Sequence, residues 1–478
     1  SQTVAAGDIA DFSVDLSDAV GPDGNSAYVQ IGGEDSEFVD VLYIEADNGA
    51  EPVDVQVNTR LLGTNAQKRA VYDTSNDATF ESAMHGGINA FPDGDENNLY
   101  GDDGVNGVSD FDTYVDEVVG TDSGNASGQL TRPLQATEYN LQIAGTTGLN
   151  QDEAVLDADP GGEANNQLDS KTLRLEQPTL DGVTVHTAPE EDADDVETAE
   201  DIVNAATPLS ETGGELGIDD RLVVQFEASG IFGNIVQDSQ PGQATENNAD
   251  YDRLSEGAST QVLENITDND IVNESISLSV EAQEATGNVD VLEIDLGASD
   301  TDTFVIADNE NEQFFLVADT SSDNAFTGGG NEAPGERTSF TTSLEYDADN
   351  EDDRYEFTGR NDPTTDNTPD ANPNPYDSTG TSANYPYLAQ GEVLTISEEF
   401  TMAPQSISYD NVNQDDNVQI ENTEEATVSA STNVAPGSDA EIRIRGDGFQ
   451  QGQSVNVTSD GSISTTFDTS NLEVGDDV

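Results

Sequence analysis

The sequence predicts an all-β protein, built from tandem antiparallel β-sandwich domains with one short amphipathic helix. Three observations predict it. Apolar and polar residues alternate over many short runs, the period of a half-buried strand. Clusters of Gly, Asn, Asp, Ser and Pro separate those runs, and they are turn chemistry. Only one stretch shows helical spacing instead.

Taken in order, "IADFSVDLSDA" sends Phe12, Val14 and Leu16 one way and Ser13 and Asp15 the other. The alternation recurs at "FVDVLYIEA" (38–46) and at "VDVQVNTR" (53–60), with Val53, Val55 and Val57 inward. A strand is expected at "GVTVH" (182–186) and another at "RLVVQFEA" (221–228). More follow at 275–280, 291–296, 302–307, 313–318, 392–397, 441–445 and 454–459. The helix is expected within "EEDADDVETAEDIVNAATPL", near 192–206. There Val196, Ala199, Ile202, Val203 and Ala206 share a face, acids crowd the first half, and Pro208 ends the segment. The expected domains are 1–187 and 188–431, the second carrying a long Pro/Asn/Asp/Thr loop at 359–386. Residues 432–478 form a short last module, read as part of an immunoglobulin-like domain, and "NLEVGDDV" stops where another strand is expected.

The 478 residues include 99 Asp and Glu against 13 Lys and Arg, a net charge of −86. Such a surface repels nucleic acid and anionic lipid, which excludes nucleic-acid binding. Self-repulsion on this scale needs concentrated salt, because at about 1 M the screening length falls to about 3 Å. Acid enrichment with only two lysines, Lys68 and Lys171, therefore reads as adaptation to brine. There is no cysteine, so disulfides and thiolate metal sites are absent. No apolar run reaches the ~18 residues of a membrane span, and the first residues lack the basic and apolar regions of a signal peptide.

Catalytic patterns are nearly missing. His85 and His186 are the two histidines, and neither stands in a nucleophile-elbow or H-E-x-x-H context. His186 is expected at a sheet edge. "GGGNEAPGER" (328–337) lacks the Lys-Ser/Thr of a phosphate loop, and Arg-Gly-Asp at 445–447 reads as coincidence. "FPDGDENNLYGDDG" (91–104) sets Asp93, Asp95 and Asn97 at alternate positions, with Asp102 and Asp103 close behind. Alternate acids arise by chance about four times in a chain this acidic, and the Gly and Glu of an EF-hand are not in place. Carboxylates this dense attract calcium or magnesium, which makes the cluster a candidate metal site beside the plainer reading of a solvated loop. Asp347, Asp349 and Glu351 form a weaker second candidate. Four N-x-Ser/Thr sequons, at Asn125, Asn265, Asn273 and Asn456, are compatible with a secreted protein bearing N-linked glycan.

Three stretches carry a family resemblance: 4–59, 130–233 and the terminal "GDGFQQGQSVNVTSDGSISTTFDTSNLEVGDD". Together they are similar to the secreted surface glycoproteins of halophilic archaea, including S-layer glycoproteins and proteins with a BGTF surface domain. The resemblance implies an exported, glycosylated, non-enzymatic protein of tandem immunoglobulin-like domains at the cell surface. It also implies a need for divalent cations, which adds weight to the 93–103 cluster. The expectation is a homo-oligomeric lattice or filament without a membrane span in this chain. The alternatives are an adhesin or pilus-like thread joined by donated strands, and a secreted polysaccharide-binding or hydrolytic protein using Tyr376, Tyr385 and Tyr387.

Overall fold

The computed structural model describes residues 2–16, 25–33, 36, 38–46, 52–63, 66–75, 78–85, 134–145, 167–193, 196, 198–237, 249–267, 276–283, 290–299, 301–330, 333–347, 388, 392–415, 417–446 and 449–473. Strands dominate these residues, in packed sheets with a few one- or two-turn helices between them. The all-β expectation holds.

The first six-stranded sheet runs in the order Gln2–Ala5, Gln167–Glu176, Glu138–Gly145, Ser26–Gly33, Phe38–Glu45, Thr79–Ser82. Its pairings are antiparallel except that Gln2–Ala5 lies parallel to Leu173–Glu176. A three-stranded sheet, Ile9–Val14, Val53–Asn58 and Tyr72–Thr74, shares its core. Phe38–Glu45 departs from simple alternation because neighbours cover both its faces, burying every residue from Phe38 to Ile44.

Two further six-stranded sheets follow. One centres on Leu180–Ala188, Arg221–Ala228, Gln313–Asp319 and Thr303–Asp308; the other on Val393–Ala403, Thr338–Asp347 and Ile276–Ala282. Ile276–Ala282 shows the expected pattern, with Ile276, Leu278, Val280 and Ala282 buried and the residues between them turned outward. Stacked rings anchor both sheets: Phe226 on Phe314 at 4.9 Å and Phe340 on Phe400 at 5.6 Å. One continuous apolar core runs from Val4 to Met402. The chain then enters a small two-layer module. Ile407–Tyr409, Ala426–Thr432 and Ser462–Phe467 form one layer, and the hairpin Asp439–Gly446/Phe449–Asn456 the other. Val428, Ala430, Ile442, Ile444, Ile463 and Phe467 fill the space between them.

Two expectations are corrected. The single helix near 192–206 forms as two, Glu190–Ala193 and Ala199–Ala205. A capping box makes the break. Thr198 Oγ1 accepts the Asp201 N–H at 3.3 Å, while the Asp201 carboxylate accepts the Thr198 N–H at 3.2 Å, so a new helix starts there. Ile202 faces the core, but Val203 is 55% exposed. Among the described residues five more short α-helices lie elsewhere, the longest of them Gln261–Thr267. His186 is not at a sheet edge, for it pairs with Val223 on one side and Pro208 on the other. Its Nε2 meets Gln225 Oε1 at 3.0 Å, and burial lowers its pKa.

Candidate functional site

The sequence-predicted metal residues Asp93, Asp95, Asn97, Asp102 and Asp103 lie outside the described residues, as do Asn125, Asn273, Asp349, Glu351, Tyr376, Tyr385 and Tyr387. Among the described residues no group of three or more His, Asp or Glu is placed to hold a metal ion. Asn456 is exposed at the end of its strand, with Nδ2 donating to Gly437 O at 3.1 Å and Asp439 Oδ1 at 3.2 Å. Asn265 is only 8% exposed on the inner face of the helix Gln261–Thr267. Arg445 is exposed, and a strand rather than a helix follows the glycines of 328–330.

What the described residues do bring together are three buried polar junctions. The first gathers Asp40, Ser82 and His85. Asp40 is fully buried and accepts four hydrogen bonds. Oδ2 takes the hydroxyls of Tyr72 and Ser82, both at 2.7 Å; Oδ1 takes the N–H groups of Val41 at 2.7 Å and Met84 at 2.9 Å. This carboxylate binds both sheets of the N-terminal part to the turn at 82–85. A Ser, a His and an Asp meet here, yet they are not a nucleophilic triad, which needs the imidazole between serine and carboxylate. His85 Nδ1 instead lies 2.8 Å from Ala66 O, and its Nε2 accepts the Gly63 N–H at 3.4 Å. Ser82 Oγ donates directly to Asp40 and is sealed from solvent.

The second junction seats the turn at 5–8 on the loop at 229–235. Gly7 N–H donates to Thr59 Oγ1 and Gly233 N–H donates to Gly7 O, both at 2.9 Å. Asn58 Nδ2 reaches Gly233 O at 2.8 Å, and Asn309 makes both backbone bonds of Ile9 as a strand neighbour would. Gly7 has φ +101°, and a Cβ there would stand 2.5 Å from Gly230 O, so glycine is required. Phe232 N–H donates to Asp8 Oδ1 at 3.0 Å, while Asp8 Oδ2 is buried without a hydrogen-bond partner among the described residues. Burial pushes the Asp8 carboxyl up to about 7, against the lowering effect of backbone N–H groups at 230–232.

The third joins the central sheets to the small module. Asp220 Oδ2 accepts the Ala435 N–H at 2.8 Å and Oδ1 faces Gln405 Nε2 at 3.4 Å. Asn433 braces the same corner, accepting Ser406 N–H at 2.7 Å and donating to Pro404 O at 3.2 Å. Burial again raises the carboxyl to about 7, with repulsion from Asp219 adding to it. Of these residues only His85 stood out in the sequence. One acid among 99 shows no signal when its partners lie on distant segments of the chain.

No family model matches the chain. It is 23% identical over 98% of its length to cell surface glycoprotein 1 of Haloarcula hispanica. It is 26% identical over 76% of its length to the cell surface glycoprotein of Haloferax gibbonsii. The chain spans 41% and 33% of the lengths of those relatives. A solved structure bearing on cell-surface retention of a 1.5-MDa bacterial ice-binding adhesin aligns at 10% identity, over 98% of this chain and 84% of that one. Its TM-score of 0.12 carries no argument. No helix among the described residues is long and apolar enough to cross a membrane. Acid-rich composition, packed antiparallel sheets and these relatives agree: the chain is an extracellular, cell-surface protein related to the haloarchaeal cell surface glycoproteins.

Proposed function

We propose that the chain is a structural, non-enzymatic component of a surface layer or filament, assembling with copies of itself in high salt. The observation that carries the reading is the relationship to cell surface glycoproteins across 98% of the chain. The charge of −86 supports it, since copies of so acidic a body approach one another only where salt screens them. The sandwich layers are read as tandem immunoglobulin-like domains. Calcium or magnesium is proposed at Asp93, Asp95, Asn97, Asp102 and Asp103, bridging carboxylates that screening leaves in repulsion. N-linked glycan is proposed foremost at Asn456, because folded Asn265 offers too little surface to an attached sugar. A thread of donated strands is less favoured: Gln2–Ala5 and Ile9–Val14 already pair within the chain.

Electron microscopy of the protein in ~3 M salt, with calcium and then with chelator, tests this. Ordered sheets or filaments that fall apart on chelation are the expected result. Single particles under both conditions would overturn the assembly reading and turn attention to sugar binding.

A further inference from the structure

Four side chains bond in a line across the outer face of one central sheet. His186, Gln225, Gln313 and Asp308 stand on the adjacent strands Leu180–Ala188, Arg221–Ala228, Gln313–Asp319 and Thr303–Asp308. Their chain neighbours Val185, Val224, Phe314 and Ala307 face the apolar core instead. His186 Nε2 meets Gln225 Oε1 at 3.0 Å, Gln225 Nε2 donates to Gln313 Oε1 at 2.7 Å, and Gln313 Nε2 donates to Asp308 Oδ2 at 2.8 Å. Asn311 adds its backbone and side-chain N–H groups to the same carboxylate.

The last member sets the direction. A carboxylate only accepts, so Gln313 presents its amide N–H to Asp308 and its oxygen to Gln225, and Gln225 then presents its oxygen to the ring. His186 therefore carries its proton on Nε2, which leaves the Nδ1 lone pair bare. That atom is buried and has no hydrogen-bond partner among the described residues. Among those residues the charge that acts on the ring is Glu211, on the helix Leu209–Thr212 that packs against this strand. The strand Thr207–Pro208 beside His186 brings no charge. Arg221 is held by Asp319 and Glu190, Glu215 by Arg337, and Glu398 by the Val185 N–H. Asp181 accepts from Thr179, and Glu227 lies on the ring's face beyond Gln225. Burial keeps the ring's pKa below its ordinary value, against Gln225 and Glu211, which raise it.

We infer that His186 is a proton-operated latch: on acidification Nδ1 takes up a proton and Glu211 becomes its partner, drawing the helix Leu209–Thr212 onto the central sheet. Only Nδ1 can take the proton, since Nε2 is already an N–H donor bound to Gln225. The new N–H has no acceptor where it stands, and the Glu211 carboxylate supplies one. The helix is also a seat for the small module. Thr212 is buried, and its carbonyl oxygen lies 3.3 Å from where a Cβ on Gly461 would stand. The latch thus bears on the joint that Asp220 and Asn433 brace. It operates whether or not copies of the chain assemble.

Nitrogen-15 spectra of the histidine rings test this on the whole chain in ~3 M salt. The chain has two histidines, so each ring reports by itself, and an unchanged His85 shows that a variant is folded. At about pH 8 His186 is expected to show a bare Nδ1 and a protonated Nε2. On acidification Nδ1 gains its proton with a midpoint below 6.5. Glu211→Gln is expected to lower that midpoint by about 0.3 of a unit or more. Asp308→Lys puts a donor at the end of the line, which reverses both amides and moves the proton of the neutral ring to Nδ1. Hydrogen exchange over 209–214, with labelling times corrected for pH, is expected to slow about threefold or more as His186 charges, in the parent chain and not in Glu211→Gln. A neutral parent ring with its proton on Nδ1, or an Asp308→Lys chain that keeps the proton on Nε2, overturns the directed line. A midpoint or an exchange profile indifferent to Glu211→Gln overturns the latch.

Discussion

Asp40→Ala is expected to lower the unfolding free energy by about 3–5 kcal/mol, measured as a fall in the urea midpoint at constant high salt. The reason is the number of donors that converge on one buried carboxylate. Removing it strands the Tyr72 hydroxyl, the Ser82 hydroxyl and the Met84 N–H in a buried core. Each stranded group forfeits roughly 1–3 kcal/mol, and partial relaxation of the 82–85 turn recovers some of the sum. Tyr72→Phe removes one donor together with its hydroxyl and leaves the other three bonds intact, so a loss of about 1 kcal/mol is expected. A small effect of Asp40→Ala, near that of Tyr72→Phe, would show that the junction is not the tie described here.

Stability is expected to fall as pH rises from about 4 to about 7, unlike that of a protein whose carboxylates sit in ion pairs. Asp8 and Asp220 are both raised from 3.8 to about 7, chiefly by burial. Their folded pKa lies above the unfolded value, so the native state holds protons that the unfolded chain has released. The stabilisation is complete below the unfolded value and disappears as pH climbs through the folded one. Each carboxyl contributes up to about 4 kcal/mol across that window. Asp11, Asp73, Glu293 and Glu398 are raised in the same sense by partial burial, while Asp302, hydrogen-bonded by Ser299 and Ser322, is lowered. Urea titrations at pH 4, 5.5 and 7 in fixed salt check the slope. Asp8→Asn and Asp220→Asn should each flatten it; a stability that rises over this range would refute the assignment. Because these two carboxyls sit at different seams, the two variants report on separate joints.

The alternating strands were legible because each is decided locally. "SISLSV" needed only a period of two and flanking turns, while "QFFLVA" and "RLVVQFEA" are short apolar runs buried on both faces. Thr338–Asp347 escaped notice although Phe340, Leu344 and Tyr346 alternate along it. Thr342 holds the fourth inward position, and its hydroxyl hid the pattern. The split helix was also written locally, as the capping sequence Thr198-Ala-Glu-Asp201, but the apolar spacing across it masked the break. The buried carboxylates were beyond reach for a different reason. In a chain where acids fill the surface, a buried Asp40 or Asp8 is set apart by partners from distant segments, and such pairing leaves no local trace. The strand 441–445 was recognised from its alternation, and its pairing with Phe449–Asn456 appeared only in the fold.

The central claim is that salt screening permits this acidic chain to stay compact and meet its own kind. Small-angle scattering on one sample, dialysed stepwise from ~3 M to ~0.1 M salt, tests it most directly. The account predicts compact, associating particles at the high end and expanded monomers at the low end, as an unscreened net charge of −86 repels itself. An unchanged compact monomer at both ends would contradict it.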